Sequence, residues 1–227
     1  EKQGNKYGTH RVISPAGVLP QAADKVDNNM DTRYDNEIIC SVSALNIDSA
    51  SFTQIKNECG GDLDKISQQI LHIVNTKGKM QNPITGSGGM FIGSVDYIVT
   101  GLKNLDIKVG DKIASLVSLS LTPLKIDKIL KIHPNTDRVD VVAKAVIFES
   151  GSYMPHNLAL AVLDVVAAPA QTARLVRKDD SVLVLGAAGK SGMLVCYQAK
   201  KQAGKNGRVV GVVKSKESAQ VLKELDV

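Results

Sequence analysis

Between residue 1 and about residue 150, apolar positions fall mainly in short runs separated by turn residues. The runs Glu37–Ser43 and Lys112–Val117 are rich in apolar and β-branched side chains, a composition typical of strands. One segment has a different period, because Leu63–Val74 carries apolar side chains every three or four residues, behind Asp62. The pattern therefore predicts a β-rich region that a single helix interrupts.

From about residue 157 the pattern changes to longer helical segments and short, continuously apolar runs. We expect helices over Leu158–Ala168 and Ala170–Arg177, separated by Pro169. The runs Ser181–Leu185 and Arg208–Val213 are typical of strands buried on both faces of a parallel sheet. A helix is expected between them and another from about residue 215, and the change of pattern predicts a domain boundary near residue 155.

A glycine-rich loop lies between the first of these strands and the helix that follows it. Gly186 allows a tight turn, Gly189 lets the backbone approach a pyrophosphate, and Gly192 lets the helix pack against the sheet. Amides at the start of the helix would face the phosphates, where the helix dipole favours negative charge. The strand, loop, helix and second strand together predict a dinucleotide site.

The second strand ends without the carboxylate that usually binds the ribose of NAD. Val213 occupies that place and Lys214 follows it, so the sequence permits either NAD or NADP. The candidate cofactor-binding residues are Gly186, Ala187, Ala188, Gly189, Lys190, Ser191, Gly192, Val213 and Lys214.

The net charge of +5 is concentrated near the C-terminus. Residues 185–227 carry eight Lys or Arg against three acidic residues, so residues 1–184 are neutral. A small polyanionic ligand explains this distribution as well as nucleic acid would, and a chain with three Phe, five Tyr and no Trp has few groups for base stacking. We expect no nucleic-acid partner.

The sequence also predicts a cytoplasmic protein that does not enter a membrane. Its three cysteines, Cys40, Cys59 and Cys196, are too widely spaced for a disulfide framework or a zinc pair. The longest apolar stretch, Leu158–Ala170, is shorter than the roughly 18 residues of a membrane span and contains Asp164.

Four stretches, in chain order, resemble motifs of the medium-chain dehydrogenase/reductase superfamily: Glu37–Asp48, Gly86–Gly93, Leu105–Ile113 and Val182–Gly192. The resemblance implies a mixed fold, in which a β-rich GroES-like N-terminal catalytic domain (residues 1–154) precedes an α/β Rossmann NAD(P)-binding domain (residues 155–227). Only 47 residues lie from position 181 onward, so we expect the first part of that second domain rather than all six strands.

Zinc-dependent members of the superfamily have a cysteine and a histidine where this chain has Asn46 and Ser87. A catalytic zinc needs three ligands of the Cys, His or carboxylate type, which Asn46 and Ser87 are not. The resemblance therefore implies a member without zinc or another bound metal.

Further stretches resemble a narrower family, the L-erythro-3,5-diaminohexanoate dehydrogenases of bacterial lysine fermentation: Lys6–Ile13, Gly17–Pro20, Leu45–Gln54, Gly78–Gly86 and Val117–Pro123. This resemblance implies NAD(P)-dependent oxidative deamination of a diamino acid to 5-amino-3-oxohexanoate and ammonia. The alternative enzyme is a zinc-independent quinone or enone reductase. A nucleotide-binding protein without enzymatic activity would need a basic surface outside the cofactor cleft, which the neutral first 184 residues do not favour.

Asn46 and Asp48 are the candidate catalytic residues. The diamino acid carries two ammonium groups and one carboxylate, and Asp48 fits the anionic group that this substrate needs. Asp48 fits equally well as a helix cap ahead of Ser49-Ala-Ser51. The substrate-binding candidates are Ser87, Gly88 and Gly89, whose backbone amides suit a carboxylate, and Glu149. We also expect a homodimer.

Overall fold

The computed structural model describes residues 2–100, 102, 107–115, 117–148, 153–155 and 167–224. The chain divides into two compact units, Glu1–Ala161 and Val162–Val227. Residues 149–152 and 156–166 lie outside the described part, so the boundary near residue 155 and the helix over residues 158–166 stay predictions.

The first unit is built around one six-stranded antiparallel sheet, with the strand order β6-β7-β3-β4-β5-β8. β1 and β2 pair with each other in a separate two-stranded sheet. The elements are β1 (Val12–Ser14), β2 (Lys25–Val26), β3 (Glu37–Ile47), α1 (Ser49–Glu58), α2 (Leu63–Lys77), β4 (Gly89–Ile98), β5 (Lys112–Ser115), β6 (Leu124–His133), β7 (Arg138–Phe148) and β8 (Tyr153–Pro155).

The helix predicted from the apolar period is confirmed as α2. The Asp62 side chain caps it by accepting hydrogen bonds from the amides of Asp64 and Lys65, and Ile66 and Ile70 are buried in the core. The prediction that it is the single helix among the strands is wrong, because α1 precedes it. Too few apolar side chains of α1 are buried to produce a visible helical period.

A buried ion pair joins the N-terminal segment to the start of β3. Arg11 and Glu37 are both fully buried, and the guanidinium donates from Nε and Nη2 to the two Glu37 oxygens, at 2.7 Å and 2.6 Å. The same guanidinium donates to the carbonyl oxygens of Asp27, Asn29 and Thr32. One cation thereby holds the loop that leads from β2 to β3.

His10 completes this group. Its Nδ1 accepts from the amide of Asn5, so Nε2 carries the hydrogen and donates to Glu37 Oε1 at 2.9 Å. Burial alone raises the pKa of Glu37, but the hydrogen bonds from Arg11 and His10 and the charge of Arg11 outweigh burial and hold the pKa below its usual value. Glu37 is therefore a stable buried anion.

We expect Arg11→Met to lower the free energy of unfolding by about 3–5 kcal/mol, because it leaves the Glu37 charge buried without its partner. Urea unfolding at neutral pH measures the effect, with Arg208→Met as a control at an exposed arginine. A loss below about 1 kcal/mol, the usual size for an exposed pair, would contradict the central role of Arg11.

The second unit contains α3 (Ala167–Leu175), β9 (Ser181–Leu185), α4 (Lys190–Ala203), β10 (Arg208–Val212) and α5 (Lys216–Glu224). β9 and β10 are parallel neighbours, paired from Ser181 with Arg208 to Leu185 with Val212. The predicted order of strand, glycine loop, helix and strand is confirmed.

The prediction that these two strands are buried on both faces is wrong for the described residues. Val184 faces a small core with Cys196 and Leu222, whereas Leu183 and Leu185 on the other face are 63% and 75% exposed. Within the described part, helices cover only the Val184 face. The separation of two helices by Pro169 is also wrong, because Pro169 lies in the first turn of α3, where proline is tolerated.

Among the described residues, no helix is both long and apolar enough to cross a membrane.

Candidate active site

Asp48 lies between β3 and α1 and caps the helix. Its Oδ1 accepts from the amides of Ala50 and Ser51, both at 3.1 Å, while its Oδ2 accepts from the hydroxyl of Ser87 at 2.6 Å. Burial alone raises the pKa of Asp48, but hydrogen bonds from Ser51, Ser87 and Ala50 outweigh it and hold the pKa below its usual value. The carboxylate is therefore charged at neutral pH.

Three hydroxyl groups meet beside this carboxylate, and we call Ser51, Thr85 and Ser87 the hydroxyl cluster. Ser51 Oγ lies 2.5 Å from Thr85 Oγ1 and 3.0 Å from Ser87 Oγ, and the last two oxygens are 3.2 Å apart. Ser51 is fully buried, whereas Thr85 is exposed. The cluster therefore connects Asp48 to the protein surface.

Asn82 folds the loop that carries Thr85 and Ser87. Its Oδ1 accepts from the amides of Ile84 and Thr85, and its Nδ2 donates to Gln54 Oε1 at 2.8 Å. Asn82 is fully buried, so the loop is tied firmly to α1. This arrangement places the Ser87 hydroxyl within reach of Asp48.

The glycines after Ser87 are packed against backbone on two sides. A side chain on Gly88 would overlap the carbonyl oxygen of Met80 and the amide of Ser120, so the chain there passes too closely for any larger residue. The amides of Gly86 and Ser87 already donate to Asn82 O and Thr85 Oγ1. These contacts position the loop, and the second of them uses the Ser87 amide, one of the three that the sequence offered for a carboxylate.

Gln21 and Lys79 support the same loop from the other side. Gln21 donates from Nε2 to Gly86 O at 3.2 Å and accepts from Ser120 Oγ at 2.6 Å. Lys79 is fully buried and donates to the carbonyl oxygens of Pro20 and Gln21. Burial lowers the pKa of Lys79 to about 8.

The structure brings together most of the catalytic and substrate-binding residues that the sequence predicts, whereas the cofactor-binding candidates lie in the second unit. Asn46 is half-buried near the end of β3, where it pairs with Met90 in β4, and the amide of Asp48 donates to Gly88 O at 3.3 Å. The end of β3 thus brings together Asp48, Ser87, Gly88 and Gly89. Glu149 lies outside the described residues.

Sequence reasoning missed Ser51, Thr85, Asn82, Gln21 and Lys79. Asn82 had a usable signal, because an Asn-Pro pair favours a turn. The hydroxyl cluster had no such signal, since Thr85 and Ser87 are 34 and 36 residues from Ser51 in the chain.

The glycine loop of the second unit has the geometry of an anion site. Gly189 is the N-cap of α4 and no side chain caps this helix, so its first amides are available. A side chain on Gly192 would overlap the carbonyl oxygen of Gly186, whereas one on Gly189 would touch that oxygen only at 3.4 Å. The loop is therefore closed towards Gly192 and open at Gly189, as the pyrophosphate of a dinucleotide requires.

The matching family model and the named relatives agree on one family. The family model described as the L-erythro-3,5-diaminohexanoate dehydrogenase N-terminal domain matches residues 10–157. A relative of that name from Acetoanaerobium sticklandii is 58% identical over 232 residues, which cover 99% of this chain and 67% of the relative. A relative of the same name from Fusobacterium nucleatum is 57% identical, with the same coverage.

These relatives place the chain among the dehydrogenases. The chain belongs to the L-erythro-3,5-diaminohexanoate dehydrogenase family. Among solved structures, a mycobacterial quinone oxidoreductase matches 99% of this chain and 54% of its own with 16% identity and a TM-score of 0.49. The CurK enoyl reductase matches 85% of this chain and 50% of its own with 15% identity and a TM-score of 0.48.

We expect Asp48→Asn to lower the free energy of unfolding by about 1 kcal/mol at pH 7, through loss of the charged acceptor of Ser87. The folded pKa of Asp48 is depressed, so its contribution is present above the unfolded value of about 3.9 and is lost as the pH falls through the folded value. The difference between wild type and variant, measured by urea unfolding from pH 7 to pH 3, should shrink towards acid. A difference that is independent of pH would contradict this linkage.

Proposed function

We propose that this protein catalyses the NAD(P)-dependent oxidative deamination of L-erythro-3,5-diaminohexanoate to 5-amino-3-oxohexanoate and ammonia, in the cytoplasmic fermentation of lysine. The identity of 58% over 99% of the chain with a relative named for this dehydrogenase activity carries the proposal. The names of both relatives favour this reaction over the alternative of a quinone or enone reductase.

The two units would have separate tasks. The first unit, with its antiparallel sheet and the Asp48 site, would be the GroES-like catalytic domain. The second unit would belong to a Rossmann domain, because β9, α4 and β10 form the parallel unit that such domains repeat. The proposed domain boundary near residue 155 lies a few residues before the division between the two units after Ala161.

The glycine loop would hold the dinucleotide. Amides at the start of α4 would bind the pyrophosphate, and Gly189 would allow its close approach. Val213 and Lys214 follow β10, where the ribose would lie, and they suit NAD or NADP. When bound, NAD(P)⁺ would accept the hydride that leaves C3 of the substrate.

Asp48 would bind the reacting ammonium group. Its carboxylate is half-buried and accepts hydrogen bonds from Ala50, Ser51 and Ser87. The lowered pKa keeps Asp48 charged, so it would attract an ammonium group. Asn46 lies two residues earlier, near the end of β3, and its neutral amide side chain would contact the substrate.

The same groups would move the protons. The ammonium must lose a proton before hydride can leave, and Asp48 would accept it next to Ser87. Loss of hydride would give an iminium ion. Asp48 would pass the first proton to the hydroxyl cluster and then accept a second one from the water that adds to the iminium carbon. Collapse of that adduct releases ammonia and forms the C3 ketone. The hydroxyl cluster would return protons to the surface through the exposed Thr85.

The chemistry requires no zinc ligand set. Asn46 and Ser87 stand where zinc-dependent members of the superfamily have ligands, and neither has a charged or imidazole donor. The lone pair of the neutral amine can expel hydride without a Lewis acid, so we propose a reaction without a bound metal.

Asp48→Asn in the intact enzyme should lower kcat/KM by roughly 10²–10⁴, the usual effect of losing a general base. Asp62→Asn is a matched control, because Asp62 caps α2 through the same pair of amide contacts and lies away from the site. Steady-state oxidation of diaminohexanoate measures both variants. Equal loss in the two variants, or none in either, would show that Asp48 is only a cap.

Two glycine variants test the cofactor loop. Gly189→Ala should keep the fold, with a change in unfolding free energy below about 1 kcal/mol, but raise the Kd for NAD(P)H at least tenfold by blocking the pyrophosphate. Gly192→Ala should lower the free energy of unfolding and also weaken NAD(P)H binding, because the added side chain would overlap the loop backbone. Fluorescence titration with NADH and NADPH, together with urea unfolding, separates the two effects. Unchanged binding by Gly189→Ala would exclude this loop as the pyrophosphate site.

A further inference from the structure

Arg138 lies at the start of β7, beside the end of β3 that carries Asn46 and leads into Asp48. It is the first residue of β7 and pairs directly with Asn46 in β3 and with His133 in β6. Directly paired residues of antiparallel strands point to the same face of the sheet, with Cβ atoms about 4.5–5.5 Å apart. The Arg138 side chain therefore stands beside the candidate catalytic Asn46.

The guanidinium of Arg138 is held in one orientation by its neighbours. Its Nε donates to Asp140 Oδ1 at 2.7 Å, and Asp140 Oδ2 lies 2.8 Å from His133 Nε2. The hydrogen bond from His133, together with Arg138, keeps the pKa of Asp140 below its usual value. The Arg138 side chain is 49% exposed, and its contact with Asp140 through Nε leaves the two terminal nitrogens to form a fork that fits a carboxylate.

The turn before Arg138 is fixed against the start of α1. The amide of Ile47 donates to Asp137 O at 3.0 Å, and the hydroxyl of Ser49 donates to Asp137 Oδ2 at 2.7 Å. Ile47 and Ser49 flank Asp48 in the chain. The position of Arg138 relative to Asp48 is therefore set by direct contacts on both sides of the carboxylate.

We propose that Arg138 binds the carboxylate of the diamino acid and so selects an amino acid over a simple diamine. This inference rests on the proposed function, whose substrate carries ammonium groups for Asp48 and one carboxylate for a cation. Asp140 and His133 would be positioning residues for the guanidinium. Two other cations of the first unit, Arg11 and Lys79, are fully buried on partners of their own.

The test compares Arg138→Gln with wild type in the intact enzyme, with 3,5-diaminohexanoate and its carboxamide as substrates. The variant should raise KM for the acid by 10- to 100-fold and change kcat less than threefold, while KM for the amide stays the same. Arg138→Lys should recover part of the loss, and Asp140→Asn should show a smaller effect with the same preference. Arg174→Gln, at an exposed arginine of α3, should behave like wild type.

The outcomes separate this inference from the proposed function. An equal rise in KM for acid and amide, or an unchanged KM for the acid, would show that Arg138 does not bind the carboxylate. In both cases wild-type turnover of diaminohexanoate would leave the proposed function intact. No turnover of diaminohexanoate by the wild type would overturn the proposed function and this inference with it.

Discussion

The fold of the first unit depends on the buried guanidinium of Arg11, which backbone carbonyl groups and the Glu37 carboxylate surround. Arg11 donates hydrogen bonds to the two oxygens of Glu37 and to three carbonyl oxygens of the loop between β2 and β3. Removing either charge would leave the other buried without compensation, which costs far more than an exposed pair contributes. This ion pair consequently fixes the start of β3, the strand whose other end leads into Asp48.

β3 carries this constraint to the chemistry. The strand begins at Glu37, pairs with β4 on one side and β7 on the other, and ends at Ile47. Asp48 follows at once, Gly88 and Ser87 approach from β4, and Arg138 approaches from β7. The two neighbouring strands therefore deliver a hydroxyl and a guanidinium to the same end of the strand that supplies the carboxylate.

Local patterns predicted the elements whose signals lie within one short segment. Examples are α2, which follows Asp62, and the glycine loop between β9 and β10. The sequence did not reveal α1, whose buried side chains are few, or the role of Arg11, whose partners are 16 to 26 residues away. At the site, Asp48 and Ser87 could be predicted through a family resemblance. Ser51 and Asn82 could not, because they act through contacts between distant segments that no local pattern records.

Asp48 and Asp62 show why a local pattern identifies a cap but not a site. Each carboxylate accepts two amides at the start of a helix, at 3.0–3.2 Å, and the sequence around each predicts this role equally. The difference lies in the second oxygen. At Asp48 it meets the Ser87 hydroxyl at 2.6 Å in a half-buried setting, whereas Asp62 is exposed. The cap fixes each carboxylate in space, but the Ser87 hydroxyl, which comes from a segment distant in the chain, distinguishes the surroundings of Asp48 from those of Asp62.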